Sequence, residues 1–130
     1  MYPEFDVLIV DDNQEQANIT KLLIEQEGFT AQYATDGKIA LKQILKKKPR
    51  LVILDLMMPQ IDGLRLCKII KENPSTADIR VIIYSGKLFE SDRRKALALG
   101  ADLFLTKPTR AYILLDAVHN LLPTTRNEFN

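Results

Sequence analysis

Five short apolar runs, each followed by a longer segment of helical period, limit what this chain can fold into more than any other feature. The runs are Phe5 to Val10, Phe29 to Ala34, Leu51 to Leu54, Val81 to Tyr84 and Leu103 to Leu105. Bounded by polar residues and rich in Val and Ile, they read as strands. The first, third and fourth are almost continuously apolar, as expected where helices cover both faces of a parallel sheet. The second, Phe-Thr-Ala-Gln-Tyr-Ala, is mixed and suits an edge. Helices are expected over residues 14–27, 37–48, 63–73, 91–99 and about 109–122. Asn13 is placed to cap the first, and Gly28 and Gly100 to stop the first and fourth. The residues expected to face inward are Ala17, Ile19, Leu22, Leu23 and Ile24 in the first helix, and Ile39, Ala40, Leu41, Ile44 and Leu45 in the second. The third should turn in Leu64, Leu66, Cys67, Ile69 and Ile70, and the fourth Ala96, Leu97 and Leu99. The last contributes Ile113, Leu114, Ala117, Val118, Leu121 and Leu122. Five β-α units of this kind give an α/β fold with a doubly wound, five-stranded parallel sheet, five helices and right-handed crossovers. Such a sheet places function at the carboxyl ends of its strands, beside the switch point in strand order.

The 130 residues suit one domain, expected over 1–122, with 123–130 as a tail or the start of a linker. A formal net charge of +1 gives no reason to expect direct nucleic-acid binding or attraction to an anionic membrane. Cys67 is the only cysteine, so no internal disulfide holds the fold, which suits a reducing cytoplasm. The opening MYPEFDVLIVDD is no signal peptide, and no stretch approaches the ~18 apolar residues of a membrane span. A soluble, cytoplasmic protein is the expectation.

The strand ends carry the chemistry. The first ends in Asp11-Asp12, the third in Asp55, the fourth in Ser85 and the fifth in Thr106-Lys107-Pro108. Three carboxylates, a hydroxyl and an ammonium should therefore converge on one edge of the sheet. Carboxylates so close repel one another, and a hard divalent cation relieves the repulsion. All-oxygen ligation favours Mg²⁺ or Mn²⁺ over zinc. The set reads as a phosphoryl-transfer site: Asp55 attacks phosphorus, while Lys107 and the Ser85 hydroxyl hold phosphoryl oxygens. Taken singly, each residue has a plainer role. Asp11 and Asp12 serve equally well as turn or capping residues, Asp55 as a strand terminator, and Ser85-Gly86 as a turn. Their joint placement on every relevant strand end is what favours chemistry.

The segments Val-Leu-Ile-Val-Asp-Asp-Asn (7–13), Leu-Val-Ile-Leu-Asp-Leu-Met-Met-Pro-Gln-Ile-Asp-Gly (51–63), Tyr-Ser-Gly (84–86) and Gly-Ala-Asp-Leu-Phe-Leu-Thr-Lys-Pro (100–108) resemble the receiver family of two-component response regulators. The resemblance runs from about Asp6 to Leu122, with 30 residues from Asp55 to Ser85 and 22 from Ser85 to Lys107. It implies the flavodoxin-like strand order 2-1-3-4-5. It implies further that Asp55 is the phosphoacceptor. Asp12 then binds Mg²⁺ directly and Asp11 through water, with the backbone carbonyl of Met57 as a further ligand and Mn²⁺ an acceptable substitute. Lys107 pairs with phosphoryl oxygens, Ser85 moves toward the bound group, and Phe104 is the switch aromatic that turns inward with it. Pro108 follows a cis peptide bond that aims Lys107. Met57 and Lys87 flank the route of attacking water and so set the phosphoryl lifetime. The phosphoryl group comes from a histidine kinase or a histidine phosphotransfer protein, and output leaves through the surface of the fourth helix, fifth strand and fifth helix. That surface addresses a downstream protein or a fused output domain. Such a domain is a switch, not an enzyme beyond its own phosphorylation and dephosphorylation. Ser at position 85 departs from the commoner Thr, and the last helix lacks the arginines of a winged-helix regulator's dimer face.

The rivals fare worse. An aspartate-nucleophile phosphatase of the haloacid dehalogenase type needs a second acid two residues after the nucleophile, where Met57 stands. A flavodoxin-like electron carrier would set its flavin phosphate against Asp11-Asp12-Asn13. No P-loop or Gly-x-Gly-x-x-Gly sequence supports a nucleotide enzyme. A degenerate receiver, acting as a phosphorylation-independent interaction module, would lack an acid or the lysine, and this chain has them all. His119 reads as a surface histidine, Cys67 as core, and Lys46 to Lys48 as a solvated helix end.

Overall fold

A computed structural model describes residues 3–58, 61–86 and 89–123. The strands are β1 (Val7–Val10), β2 (Ala31–Ala34), β3 (Leu51–Leu54), β4 (Arg80–Ser85) and β5 (Leu103–Thr106). They alternate with α1 (Gln14–Gln26), α2 (Gly37–Lys47), α3 (Gly63–Glu72), α4 (Glu90–Ala98) and α5 (Ala111–Leu121). All strand pairs are parallel and the sheet order is β2-β1-β3-β4-β5, so the mixed second run is indeed an edge.

Every residue of β1 and β3 is buried, because alternate side chains enter two separate cores. Leu8, Val10, Val52, Leu54, Val81 and Ile83 meet α2, α3 and α4 through Ala40, Ile44, Leu66, Cys67, Ile70 and Ala96. Val7, Ile9, Leu51, Ile53 and Ile82 meet α1 and α5 through Ala17, Ile24, Leu114, Ala117 and Val118. Burial pushes the Cys67 thiol up to about 11, since the thiolate would be poorly solvated there.

Helix ends follow local chemistry. Asn13, Asp36 and Asp62 each accept a backbone N–H three residues on and so cap α1, α2 and α3. Beyond α1 and α4 the chain turns through left-handed glycines, Gly28 at φ +92° and Gly100 at φ +106°.

The inward faces of the helices differ from the sequence expectation. Ile19, Leu22, Ile39, Leu45, Leu97 and Ile113 are exposed. In α1 the stripe that meets the sheet is Ala17, Thr20 and Ile24, and in α2 it is Gly37, Ala40 and Ile44. Each helix carries more aliphatic residues than the narrow face the sheet can cover. The polar Thr20 occupies a place in the stripe that hydrophobicity alone would not assign.

Candidate functional site

The sheet order puts β1 and β3 side by side at its centre, so the residues just past their ends must meet. The Asp55 N–H donates to the carbonyl of Val10 at 2.9 Å, and the Asp11 N–H to the carbonyl of Ala34 at 3.1 Å. On the other side, the Lys107 N–H donates to the carbonyl of Ser85 at 2.8 Å, tying the end of β5 to the end of β4. Main-chain bonds of the sheet thus set the positions from which the site's side chains project.

Asp11, Asp12 and Asp55 each offer a carboxylate oxygen, and these oxygens lie within 4.8 Å of one another. Asp11 is buried, Asp55 partly buried and Asp12 exposed. Neither acid of the first pair caps α1. Asn13 does so, while Asp11 Oδ1 accepts the Asn13 N–H at 2.9 Å. Asp55 Oδ1 accepts from the Met57 N–H at 3.0 Å and from the Ser85 hydroxyl at 2.9 Å. Lys107 Nζ lies 2.7 Å from Asp11 Oδ2 and 3.3 Å from Asp55 Oδ2. Its peptide bond to Pro108 is cis.

Among the described residues one ammonium, paired with two of the three carboxylates, leaves the cluster short of positive charge. Close, oxygen-only donors with an unbalanced negative charge fit a hard divalent cation.

Burial alone would lower the Lys107 pKa, but hydrogen bonds and charge from Asp11, then Asp55, outweigh it and hold the ammonium above its ordinary 10.5. The stability this lysine contributes is therefore full below 10.5 and is lost as pH rises through the raised value. In metal-free buffer, wild type should exceed Lys107→Met by about 1.5–3 kcal/mol at neutral pH. Urea unfolding should show that gap close only in strongly alkaline solution. A gap absent at neutral pH would contradict the pairing.

The structure gathers five of the expected site residues, Asp11, Asp12, Asp55, Ser85 and Lys107, at one sheet edge. The Met57 main chain contacts the site although the residue as a whole is 61% exposed. Phe104 lies lower on β5, partly buried against the core beneath α2, α3 and α4. Lys87 lies outside the described residues. His119 is a surface histidine as expected, with Nε2 2.8 Å from Glu27 Oε1 and its ring against Phe29.

Two neighbours escaped the sequence reading. Tyr84 lies under the ammonium of Lys107, its ring centroid 5.1 Å from Nζ. Gly63, a letter in the 51–63 segment, lets α3 start against the acceptor strand's end, and its N–H donates to the Leu56 carbonyl at 3.1 Å. An aromatic directly after the aliphatic run Val81–Ile83 was the available signal for the first. The second needed the three-dimensional approach. A groove of about 820 Å³ between α3 and α4, lined by Leu64, Lys68 and Leu99 among others, shares no residue with the acid cluster.

Residues 7–119 match the family model described as response regulator receiver domain. The alkaline phosphatase synthesis transcriptional regulatory protein SphR of Synechococcus elongatus is 33% identical over 97% of this chain and 52% of its own length. Protein PilG of Pseudomonas aeruginosa is 32% identical over 91% of this chain and 87% of its own. The signal receiver domain of a DNA-binding response regulator from Colwellia psychrerythraea superposes with a TM-score of 0.86 at 31% identity, covering 93% of this chain and 100% of that one. The chain thus spans about half the length of SphR but the whole of a solved receiver domain. With the sheet order, the acid cluster and the family match in agreement, this chain belongs to the receiver domains of two-component response regulators.

Proposed function

We propose that the chain is a phosphorylation switch in which Asp55 accepts a phosphoryl group. The observation that carries this reading is the joint hold on the Asp55 carboxylate. Two donors, the Met57 N–H and the Ser85 hydroxyl, fix Oδ1, while among the described residues Oδ2 meets only Lys107, at the longer 3.3 Å. Oδ2 is thus the freer oxygen and the better nucleophile. It attacks phosphorus, and the bond from phosphorus to the donor's imidazole nitrogen breaks. Acetyl phosphate would lose acetate in the same way. The product is an acyl phosphate on Asp55.

Asp12, Asp55 and the Met57 carbonyl would hold Mg²⁺, or Mn²⁺ in its place, with Asp11 acting through water. When bound, the ion offsets negative charge on the carboxylates and on the phosphoryl oxygens. Lys107 then passes from Asp11 to a phosphoryl oxygen, and Ser85 transfers its hydrogen bond from Asp55 Oδ1 in the same sense. With Met57 at the second position past the acceptor, no side chain there can move a proton, so the acyl phosphate persists as a signal. Met57, and Lys87 two positions after Ser85 in the sequence, would set how fast water removes it.

Output is assigned to the α4-β5-α5 surface, where Phe104 answers the movement of Ser85. That surface exposes Leu97, Tyr112 and Ile113, with Phe89 just before α4, all able to meet a partner. The effect is a population shift, as large as the difference in how the phosphoryl group interacts with the two states. A histidine kinase or histidine phosphotransfer protein supplies the group, and the recipient of the signal is a fused output domain or a separate protein. On this reading the receiver unit is assigned to 1–122, with 123–130 as a tail or the start of a linker. The reading places the protein in the cytoplasm, and among the described residues no helix is long and apolar enough to cross a membrane.

Incubation with acetyl phosphate, with and without Mg²⁺, tests the proposal by intact mass. One added phosphoryl group that requires Mg²⁺ is expected. Metal binding with no adduct from any donor would point away from a phosphoacceptor.

A further inference from the structure

The Lys107 side chain is only 20% exposed, and among the described residues three groups surround its ammonium: Asp11 at 2.7 Å, Asp55 at 3.3 Å and the Tyr84 ring at 5.1 Å. Two are carboxylates, and the nearer of them, Asp11, is not the acceptor. A flexible four-carbon stem drawn by these two charges alone would favour Asp11, away from where phosphoryl oxygens arrive. The ring supplies the third constraint. Tyr84 pairs with Leu105 across the β4–β5 register, while Ser85 pairs with Thr106, one residue before Lys107. Strand alternation sends Tyr84 to the α1–α5 side of the sheet, where it packs on the apolar cluster with Leu103 and Leu105 nearby. A centroid distance of 5.1 Å lies within the ~6 Å over which a ring face attracts an ammonium.

We propose that Tyr84 is a positioning residue for Lys107, its ring face holding the ammonium over the gap between Asp11 and Asp55. The inference rests on the phosphoacceptor reading above. A ring suits this task better than the alternatives. An aliphatic side chain would not attract the ammonium, and a third carboxylate would compete with the phosphoryl group for its donors. The quadrupole attracts without accepting a strong directional hydrogen bond, so the three N–H donors stay free to pass from carboxylate to phosphoryl oxygen. The phenolic hydroxyl takes no part, so phenylalanine should serve as well as tyrosine.

The test compares wild type, Tyr84→Phe and Tyr84→Leu in Mg²⁺, following the rate of adduct formation from acetyl phosphate. Ring-current shifts of the Lys107 Hε protons are read by NMR in the same samples. Tyr84→Leu should react about two- to fivefold more slowly and lose the upfield Hε shift, whereas Tyr84→Phe keeps both rate and shift. Should Tyr84→Leu fold poorly, the wild-type and Phe spectra still decide, since unshifted Hε protons would overturn the proposal. Equal rates in all three proteins would overturn it too, as would equal slowing by Phe and Leu. A wild type that forms no adduct would instead overturn the phosphoacceptor reading itself.

Discussion

Asp55→Asn is expected to reduce phosphoryl capture to background while leaving the fold intact. The amide keeps an Oδ1 that accepts from the Met57 N–H and the Ser85 hydroxyl, so the local hydrogen bonds survive. It replaces Oδ2, the proposed nucleophile, with an NH₂ whose lone pair is delocalised into the carbonyl and does not attack phosphorus. That NH₂ would face the Lys107 ammonium, now 3.3 Å from Oδ2, and push it wholly onto Asp11. Removing one of three crowded carboxylates also relieves repulsion in the metal-free protein. Thermal melting in a chelator should accordingly show Asp55→Asn to be at least as stable as wild type. Mg²⁺ affinity moves the other way, falling by at least about tenfold, because fewer charged oxygens remain to bind it. Calorimetric titration checks this opposition in sign. A variant that lost stability while keeping its affinity would mean that the three acids do not act as a metal site.

The largest effect on folding is expected at Gly63. A Cβ built there would lie 2.3 Å from the Asp55 carbonyl oxygen and 2.7 Å from the Leu56 Cα. Both are backbone atoms just past the end of β3, at the acceptor and its neighbour, so no side chain can swing aside. Gly63→Ala must move either the start of α3 or the acceptor itself. A loss of more than about 3 kcal/mol in urea unfolding is expected. Gly28→Ala is the fitting comparison. Nothing lies within 4 Å of its Cβ, and only the left-handed φ of +92° opposes the substitution, which should cost about 1–2 kcal/mol. If Gly63→Ala proved no worse than Gly28→Ala, the close approach would not be what demands glycine.

Much of this molecule was legible in its sequence, for identifiable reasons. The strands were visible because β1, β3 and the Val81–Ile83 centre of β4 are buried on both faces and must be apolar there. The reactive groups were visible because parallel strands deliver their last residues to one edge, and Asp11, Asp55, Ser85 and Lys107 are residue types a sheet does not require there. What was not legible was direction. Periodicity located α1 and α2 but could not choose among their apolar stripes, so Ile19, Leu22, Ile39 and Leu45 were placed inward when they face solvent. The choice depends on where the sheet lies, which sequence spacing does not carry. Tyr84 was hidden for a related reason. Its neighbour along the chain is the switch hydroxyl, yet its ring points to the opposite side and meets Lys107 only through the reach of that long side chain.

The most direct test of the account is to locate the phosphoryl group chemically. After reaction with acetyl phosphate and Mg²⁺, borohydride reduces an acyl phosphate to an alcohol, which would convert Asp55 to homoserine. Peptide mass spectrometry should find homoserine at position 55 and aspartate at positions 11 and 12. Homoserine at Asp11 or Asp12, or a phosphoryl group on Ser85 with Asp55 unchanged, would contradict Asp55 as the acceptor.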